Sequence, residues 1–401
     1  MTRQQFVKDG WTPSCSPVFA TDVQWMCFDA RNAGEEVWAG GSPAGESPMA
    51  AKNGGRYIIS EIQNNLAAQP RRPLDDKILA TLSGRDLLPN RGIALNLDWI
   101  EEVRVNTSAV ERRAQTLVTR RTVKKEWQAA WLLRAITCMD LTTLSGDDTD
   151  ERVRRLCAKA RQPIQHELEK QLGIEQLGIK VAAVCVYHAF VETALRALDG
   201  SGIRVAAVSA GFPAGLSPLE ERVGEIRRSV DAGAHEIDVV ITRAHVLGGK
   251  WQALYDEVAT FKLACGSAHM KVILAAGDLL TLRNVARASV VAMMAGADFI
   301  KTSTGKEAVN ATLPVGLVMT RAIREYAQET AMAVGFKAAG GIRTAKQSLE
   351  WLSLMKEELG LSWLNAELFR FGTSGMLADI ERQLEYHATG RYSADYRHPI
   401  A

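Results

Sequence analysis

Eight short apolar segments, each rich in β-branched residues, constrain the fold of this chain more than any other feature. They alternate with amphipathic stretches of helical period, and successive segments begin 23 to 46 residues apart. Apolar runs of this length are typical of parallel strands that are buried on both faces. The segments are 135-AITCMD-140, 181-VAAVCVY-187, 204-RVAAVSA-210, 236-EIDVVI-241, 271-KVILAA-276, 298-DFIKTS-303, 333-AVGFKAA-339 and 367-ELFRFG-372.

Eight strand–helix units predict the α/β class and a single (β/α)8 TIM barrel, which typically needs about 250 residues. The connecting stretch 218-PLEERVGEIRRSVDAG-233 fits such a unit, because it begins with proline and acids and ends in glycine. The pattern alone leaves an open doubly wound sheet as the alternative. In a barrel, the active site lies at the carboxyl ends of the strands.

The rest of the 401-residue chain divides into three segments. Residues 1–55 contain the turn-rich run 40-GGSPAGESP-48 and are predicted to be a disordered N-terminal extension. Residues 56–134 read as a helical lead-in that packs on the barrel. The barrel is expected to span residues 135–392, and residues 393–401 to form a C-terminal tail.

Composition and charge exclude several classes of protein. Lysine and arginine number 48 against 46 aspartates and glutamates, so a dedicated nucleic-acid binder, which is usually strongly basic, is disfavoured. No apolar stretch is long enough to predict a membrane span, and no signal-peptide core is present. The six cysteines are scattered without a CxxC pair, which is typical of a reducing compartment. We therefore expect a cytoplasmic protein.

Charged residues inside the apolar strands indicate where the chemistry lies. Asp238, Lys301 and Lys337 each occur late in a strand, and Asp140 ends the first apolar segment. A buried charge is costly unless it is paired, and the period of two allows all of these side chains to point into the upper barrel. Two independent salt bridges, or lysines that reach outward to solvent, are the structural alternative.

Two lysines and one aspartate in a single pocket would suit covalent chemistry on a carbonyl. Desolvation and a neighbouring ammonium both disfavour protonation, so one lysine would be partly neutral near pH 7. A neutral amine is the nucleophile that forms a Schiff base. Asp238 could pair with the other ammonium and pass protons through it or through a water molecule.

Glycine-rich loops at the same ends of the last strands indicate a phosphate site. Strand 7 runs into 340-GGIR-343 and strand 8 into 372-GTSG-375, and Lys306 follows strand 6. TIM barrels often bind phosphate with the loops after strands 7 and 8 at the start of a helix. Metal chemistry is disfavoured, because His235 and His269 precede their strands and leave no evident trio for a catalytic zinc.

Several motifs resemble the deoxyribose-phosphate aldolase family over roughly residues 95–392, and 121-RTVKKEWQAAWLL-133 resembles its animal branch. The motifs are 139-MDLTTLSGDDT-149, 182-AAVCVY-187, 211-GFPAG-215, 236-EIDVV-240, 297-ADFIKTSTGKEAVNAT-312, 334-VGFKAAGGIRTA-345 and 369-FRFGTSG-375. The resemblance implies a class I aldolase that reversibly cleaves 2-deoxy-D-ribose 5-phosphate to D-glyceraldehyde 3-phosphate and acetaldehyde, in deoxynucleoside catabolism. No metal or organic cofactor is implied.

The resemblance also implies roles for individual residues. Lys301 would form the Schiff base, Lys337 would tune its pKa and relay protons, and Asp238 would be the general acid/base. Asp140 and Cys185 would line the substrate pocket. The residues implied around the phosphosugar are Thr304, Gly305, Lys306, Gly340, Gly341, Arg343, Gly372 and Ser374.

This chain departs from the family pattern at a few positions. Ala276 stands where the family usually has a hydroxyl residue, Ala338 and His188 replace prolines, and Gly375 replaces a hydroxyl residue at the phosphate loop. The C-terminal tyrosine of the bacterial branch has no clear equivalent. The candidates are Tyr392 and Tyr396.

Two other functions compete with the aldolase. A non-catalytic phosphosugar-binding or scaffolding protein would account for Ala276, Gly375 and the long extension. Pyridoxal phosphate on Lys301 would be a different use of a lysine Schiff base. A small phosphosugar is the expected partner, a metal-dependent aldolase is disfavoured, and a homo-oligomer is left open beside a monomer.

Overall fold

In a computed structural model, which describes residues 89–120 and 123–399, eight parallel strands close into one barrel in chain order. This confirms the predicted (β/α)8 barrel. The strands are β1 Met139–Thr142, β2 Ala183–Tyr187, β3 Arg204–Ser209, β4 Glu236–Val240, β5 His269–Ile273, β6 Phe299–Lys301, β7 Gly335–Ala339 and β8 Phe369–Thr373. The predicted N-terminal extension, 1–55, and the first part of the lead-in lie outside the described residues.

Helices surround the barrel and connect its strands. They are α1 Leu97–Glu102, α2 Thr107–Arg120, α3 Lys125–Thr137, α4 Asp150–Arg161, α5 His166–Leu172, α6 Val191–Leu198, α7 Leu219–Asp231, α8 Arg243–Leu247, α9 Trp251–Cys265, α10 Leu282–Met294, α11 Leu313–Thr330, α12 Ala345–Leu359 and α13 Met376–Thr389. Threonine N-caps begin α4, α10, α11 and α12, each accepting a backbone N–H of the first turn, which is the usual reason for a helix to start at such a residue.

Lead-in helices α1 to α3 pack on the outside of the barrel. Helix α2 contacts α11, and α3 contacts α12 and α13. The Trp99 indole N–H donates to Glu325 at 2.8 Å, and its ring stacks on Tyr326. Upstream of these helices, the buried Asn90 amide donates to the Met293 and Ala297 carbonyls. The described part of the lead-in is therefore anchored to the barrel wall by apolar and polar contacts.

The sequence prediction is wrong about where two strands begin or end. Ala135 and Ile136, placed in the first strand, form the last turn of α3, which ends at Thr137. Both residues are buried, and a buried helix face reads like a buried strand in a short apolar run. Ala276, placed at the end of the fifth strand, lies in a 3-10 turn, because Ala275 adopts a left-handed φ of 53° that ends the strand at Ile273.

Strand register places charged residues side by side on neighbouring strands. Lys301 lies directly opposite Lys337, and Asp238 directly opposite Lys271. Phe299, two residues before Lys301 on the same strand face, lies opposite Gly335, where a Cβ would be 2.3 Å from the Phe299 ring. The aromatic ring therefore occupies the space beside Gly335, and only glycine fits there.

Candidate active site

The structure brings together the two lysines and the aspartate that the sequence singled out. Asp238 Oδ2 accepts hydrogen bonds from Lys301 Nζ at 2.7 Å and from Lys337 Nζ at 2.8 Å. All three side chains are at most 3% exposed. Lys301 ends β6, whereas Asp238 and Lys337 are the middle residues of β4 and β7. Because both lysines are buried, the alternative in which they reach outward to solvent is wrong.

Asp140 joins this group from β1. Its Oδ2 accepts from Lys337 Nζ, and its Oδ1 accepts from Arg370 Nη1 at 2.6 Å. The hydrogen bonds from Lys337 to Asp140 and Asp238 link β7 to β1 and β4, neither of which is its neighbour in the barrel. The alternative of two independent salt bridges therefore does not describe the site.

Three further charged residues, which the sequence analysis did not single out as functional, complete the cluster. Lys271 Nζ donates to Glu236 and, at 3.0 Å, to Asp238 Oδ1. Arg370 Nη2 donates to Glu236 Oε1 at 2.8 Å. Arg370 occurs inside an apolar segment, so the rule that singled out Lys301 would also have found it, whereas Lys271 begins its segment and carries no such signal.

The cluster carries more positive than negative groups. Arg204 reaches Glu236 from the opposite end of the barrel but is itself paired with Glu367, so this outer pair adds no net charge. An excess buried charge is costly, and the loss of one proton from a lysine would remove it. The fully buried members are the carboxylates Asp140, Glu236 and Asp238 and the cations Lys271, Lys301, Lys337 and Arg370.

Local contacts select Lys301 as the lysine that loses its proton most readily. It pairs with one carboxylate, whereas Lys337 and Lys271 each contact at least two. Burial and the adjacent Lys337 ammonium lower the pKa of Lys301, although Asp238 opposes them. Burial also acts on Lys337, but the carboxylates of Asp140 and Asp238 outweigh it and raise its pKa.

Asp238 is held in its ionised form. Burial works against the charge, yet the surrounding ammonium groups of Lys271, Lys301 and Lys337 lower the pKa of Asp238 well below its usual value. At neutral pH the site therefore contains a proton acceptor, Asp238, beside a proton donor, Lys337. The amine of Lys301 lies within hydrogen-bond distance of the acceptor.

Cys185 lies on β2 in an apolar wall of the barrel. It packs with Leu144, Ala206 and Val208, and Tyr187 and Phe212 cover this cluster from one side. Burial raises the pKa of the Cys185 thiol, so it stays neutral beside the lysines. The wall offers a small apolar surface next to the charged cluster.

The loops that the sequence predicted to bind phosphate follow β6, β7 and β8 at the same end of the barrel. Gly340 and Gly341 have left-handed φ values of 81° and 83°, and a Cβ on Gly340 would be 2.7 Å from Asn310. A Cβ on Gly372 would be 2.8 Å from the Ala339 Cβ. Thr304 is buried, whereas the solvent-exposed members are Gly305, Lys306, Gly341, Arg343 and Ser374.

Two of the positions that depart from the family pattern, Ala276 and Gly375, lie at the ends of structural elements. Ala276 is buried and its N–H donates to the Thr302 carbonyl at 2.8 Å, and Gly375 is the N-cap of α13. Of the two candidate tyrosines, Tyr392 stacks on Tyr386 of the outer helix α13, and Tyr396 is 84% exposed.

The sequence of this chain is similar to those of known aldolases. The sequence profile described as "DeoC/LacD family aldolase" matches residues 134–361. The human "Deoxyribose-phosphate aldolase" is 59% identical over 314 residues, which are 78% of this chain and 99% of the human protein. This chain belongs to the DeoC/LacD aldolase family. A Caenorhabditis elegans "Putative deoxyribose-phosphate aldolase" is 42% identical over 71% of this chain and 88% of its own length.

Membership of the DeoC/LacD aldolases confirms the resemblance seen in the sequence and the enzyme class, a lyase of the deoxyribose-phosphate aldolase type. A crystal structure of a putative deoxyribose-phosphate aldolase from Toxoplasma gondii ME49 has the same fold, with a TM-score of 0.56 at 22% identity over 68% of this chain and 99% of that one. The family favours catalysis over the scaffolding and pyridoxal phosphate alternatives.

Residues 89–120 and 123–399 contain no group of three or more His, Cys, Asp or Glu side chains arranged to hold a metal ion. In the same part of the chain, no helix has both the length and the apolar character needed to cross a bilayer.

Proposed function

We propose that this aldolase reversibly cleaves 2-deoxy-D-ribose 5-phosphate to D-glyceraldehyde 3-phosphate and acetaldehyde through a Schiff base on Lys301. The observation that carries the proposal is the position of Lys301, which is buried, lowered in pKa and hydrogen-bonded to an ionised carboxylate. An amine that is neutral at working pH is the form that attacks an aldehyde.

The proposed reaction begins at the open-chain aldehyde of the sugar. The Lys301 amine adds to C1, and loss of water gives an iminium ion. This ion accepts the electron pair of the C2–C3 bond when the C3 hydroxyl loses its proton, which releases glyceraldehyde 3-phosphate and leaves an enamine. Protonation at C2 and hydrolysis then release acetaldehyde and return the free amine.

The proton steps suit the neighbours of Lys301. Asp238 is the general acid/base, because its carboxylate is ionised and can take up a proton within the site. Lys337 remains an ammonium, which lowers the pKa of Lys301 and relays protons to and from Asp238. Asp140 lines the pocket near a substrate hydroxyl, and Cys185 belongs to the apolar wall beside the two-carbon fragment.

The substrate phosphate would bind at the loops after β6, β7 and β8. Left-handed glycines allow backbone N–H groups to face an anion, and the start of α13 adds a favourable dipole. Lys306 and Arg343 are exposed cations beside these loops. The full proposed set is Thr304, Gly305, Lys306, Gly340, Gly341, Arg343, Gly372 and Ser374.

The wider setting remains a prediction. A role in deoxynucleoside and deoxyribose phosphate catabolism follows from the proposed reaction. A cytoplasmic location is a further expectation, and the choice between a monomer and a homo-oligomer is left open.

Reductive trapping tests the Schiff base directly. Incubation with acetaldehyde and cyanoborohydride should ethylate Lys301, which peptide mass spectrometry detects. Lys301→Arg should abolish this adduct, whereas Lys346→Arg, at a lysine whose side chain is 78% exposed, serves as the matched control and should leave it unchanged. An unmodified Lys301 peptide in the active enzyme would contradict the mechanism.

A coupled dehydrogenase assay tests the reaction itself. Release of acetaldehyde from 2-deoxy-D-ribose 5-phosphate is the expected result, and Lys301→Leu should abolish it while circular dichroism stays unchanged. Tight binding of the phosphosugar without acetaldehyde release would instead support a binding protein.

A further inference from the structure

Arg243 joins four consecutive loops at the mouth of the barrel. It follows β4, and its guanidinium donates to the carbonyls of Ala214 at 2.8 Å and Pro213 at 3.2 Å in the loop after β3. Its Nε lies 3.0 Å from Asp278 Oδ2 after β5, and its Nη2 lies 3.6 Å from Glu307 Oε1 after β6. None of these contacts involves the buried charge cluster.

Glu307 places its own carboxylate on the backbone of the loop 302-TSTGK-306. The Thr304 N–H donates to both carboxylate oxygens at 3.0 Å, and the Gly305 N–H donates to Oε2 at 3.2 Å. The Glu307 side chain is 2% exposed, so these are shielded, charge-assisted hydrogen bonds. The Lys306 N–H then donates to Thr304 Oγ1 at 3.1 Å, which completes the turn.

The loop therefore contains an anion before any substrate arrives. Two backbone N–H groups that could have bound a phosphate are already satisfied by Glu307. What the loop offers to solvent is the exposed Lys306. The nearby Arg243 offsets the carboxylate, which would otherwise repel a second anion.

We propose that Glu307, held by Arg243, is a positioning residue that fixes the 302–306 loop so that Lys306 is presented to the phosphate of the substrate. This inference rests on the proposed function, because it assumes a phosphosugar substrate. It narrows the phosphate site given under the proposed function, because the Thr304 and Gly305 N–H groups bond to Glu307, so these two residues shape the loop instead of contacting the ligand.

The test compares two substrates that differ only in the phosphate. The ratio of kcat/KM for 2-deoxy-D-ribose 5-phosphate to kcat/KM for unphosphorylated 2-deoxy-D-ribose measures the phosphate preference. Loss of loop order misplaces Lys306, so Glu307→Ala should lower this ratio about tenfold to a hundredfold. Glu307→Gln keeps an acceptor oxygen for the two N–H groups and should therefore retain most of the wild-type phosphate preference.

A double variant separates positioning from general destabilisation. In a Lys306→Met background, Glu307→Ala should change the ratio by less than about twofold, because the residue through which it acts is gone. If the two losses multiply, or if Glu307→Ala lowers both substrates equally, the inference is overturned. Should the alanine variant not fold, Arg243→Gln must lower the ratio, and an unchanged ratio overturns the inference.

Wild-type activity distinguishes the two levels of the proposal. If the wild type cleaves neither substrate, the proposed function fails and this inference fails with it. If the wild type prefers the phosphorylated sugar and Glu307→Ala keeps that preference, the inference alone fails.

Discussion

Replacing Lys337 with leucine tests the electrostatic origin of the Lys301 nucleophile. Both ammonium nitrogens bond to Asp238 Oδ2, at 2.7 Å and 2.8 Å, so they lie at most about 5.5 Å apart, the sum of the two distances. At that separation and an effective dielectric of about 20, two unit charges repel by roughly 3 kcal/mol. This corresponds to about two pKa units.

Lys337→Leu should therefore raise the pKa of Lys301 by at least about two units and lower its neutral fraction near pH 7 at least about a hundredfold. The loss of one ammonium also frees Asp238 to stabilise charged Lys301 more strongly, which acts in the same direction. The assay is the rate of reductive ethylation of Lys301 by acetaldehyde as a function of pH. Its midpoint should move upward in the variant.

Lys337→Arg is the matched control, because it keeps the positive charge beside Lys301. Its midpoint should stay near that of the wild type even if turnover falls through loss of the proton relay. An unchanged midpoint in Lys337→Leu, in a variant that remains folded by thermal unfolding, would refute the like-charge argument.

Three further predictions concern the carboxylates and the barrel floor. Asp238→Asn removes the proton acceptor and should reduce cleavage at least about a hundredfold, measured as kcat in the coupled assay, while binding of an inert phosphosugar analogue persists. Gly335→Ala should destabilise the barrel by several kcal/mol in urea unfolding, because its Cβ would be 2.3 Å from the Phe299 ring; an unchanged midpoint would show that the ring can move. Burial opposes ionisation of Asp238 and Glu236, but the surrounding cations lower the pKa of both carboxyl groups well below normal. Their contribution to the free energy of unfolding should therefore be present above about pH 4, and it should be lost as the pH falls through the folded-state pKa values. Unfolding free energies measured between pH 7 and pH 3 should decline, and a flat profile would contradict this assignment.

The barrel and the centre of its site could be predicted from the sequence, because both follow from short-range patterns. Alternation of apolar runs and helices predicts the strands, and the period of two predicts that Asp238, Lys301 and Lys337 face inward. The register between strands could not be predicted, because no short-range pattern specifies that Lys301 lies opposite Lys337. That pairing is therefore a structural finding.

The missed residues have different causes. Lys271 begins its apolar segment, so it resembles a polar residue at a strand border, whereas Arg370 interrupts its segment and carries the same signal as Lys301. Glu307 was missed for another reason, because its role depends on a turn that folds its carboxylate back onto the Thr304 and Gly305 N–H groups. Contacts of this kind are set by loop geometry, which composition and periodicity do not encode.

The division of the site between strands and loops has a consequence for how the substrate preference of this enzyme can be altered. Every member of the buried charge cluster is carried by a strand, whereas the residues proposed to hold the phosphate, apart from Gly372 in β8, follow β6, β7 and β8 in loops. Under the proposed function, bond cleavage and substrate choice thus belong to separable parts of the molecule. Exchanging these loops should redirect the enzyme toward aldehydes without a phosphate while the lysine chemistry is inherited intact.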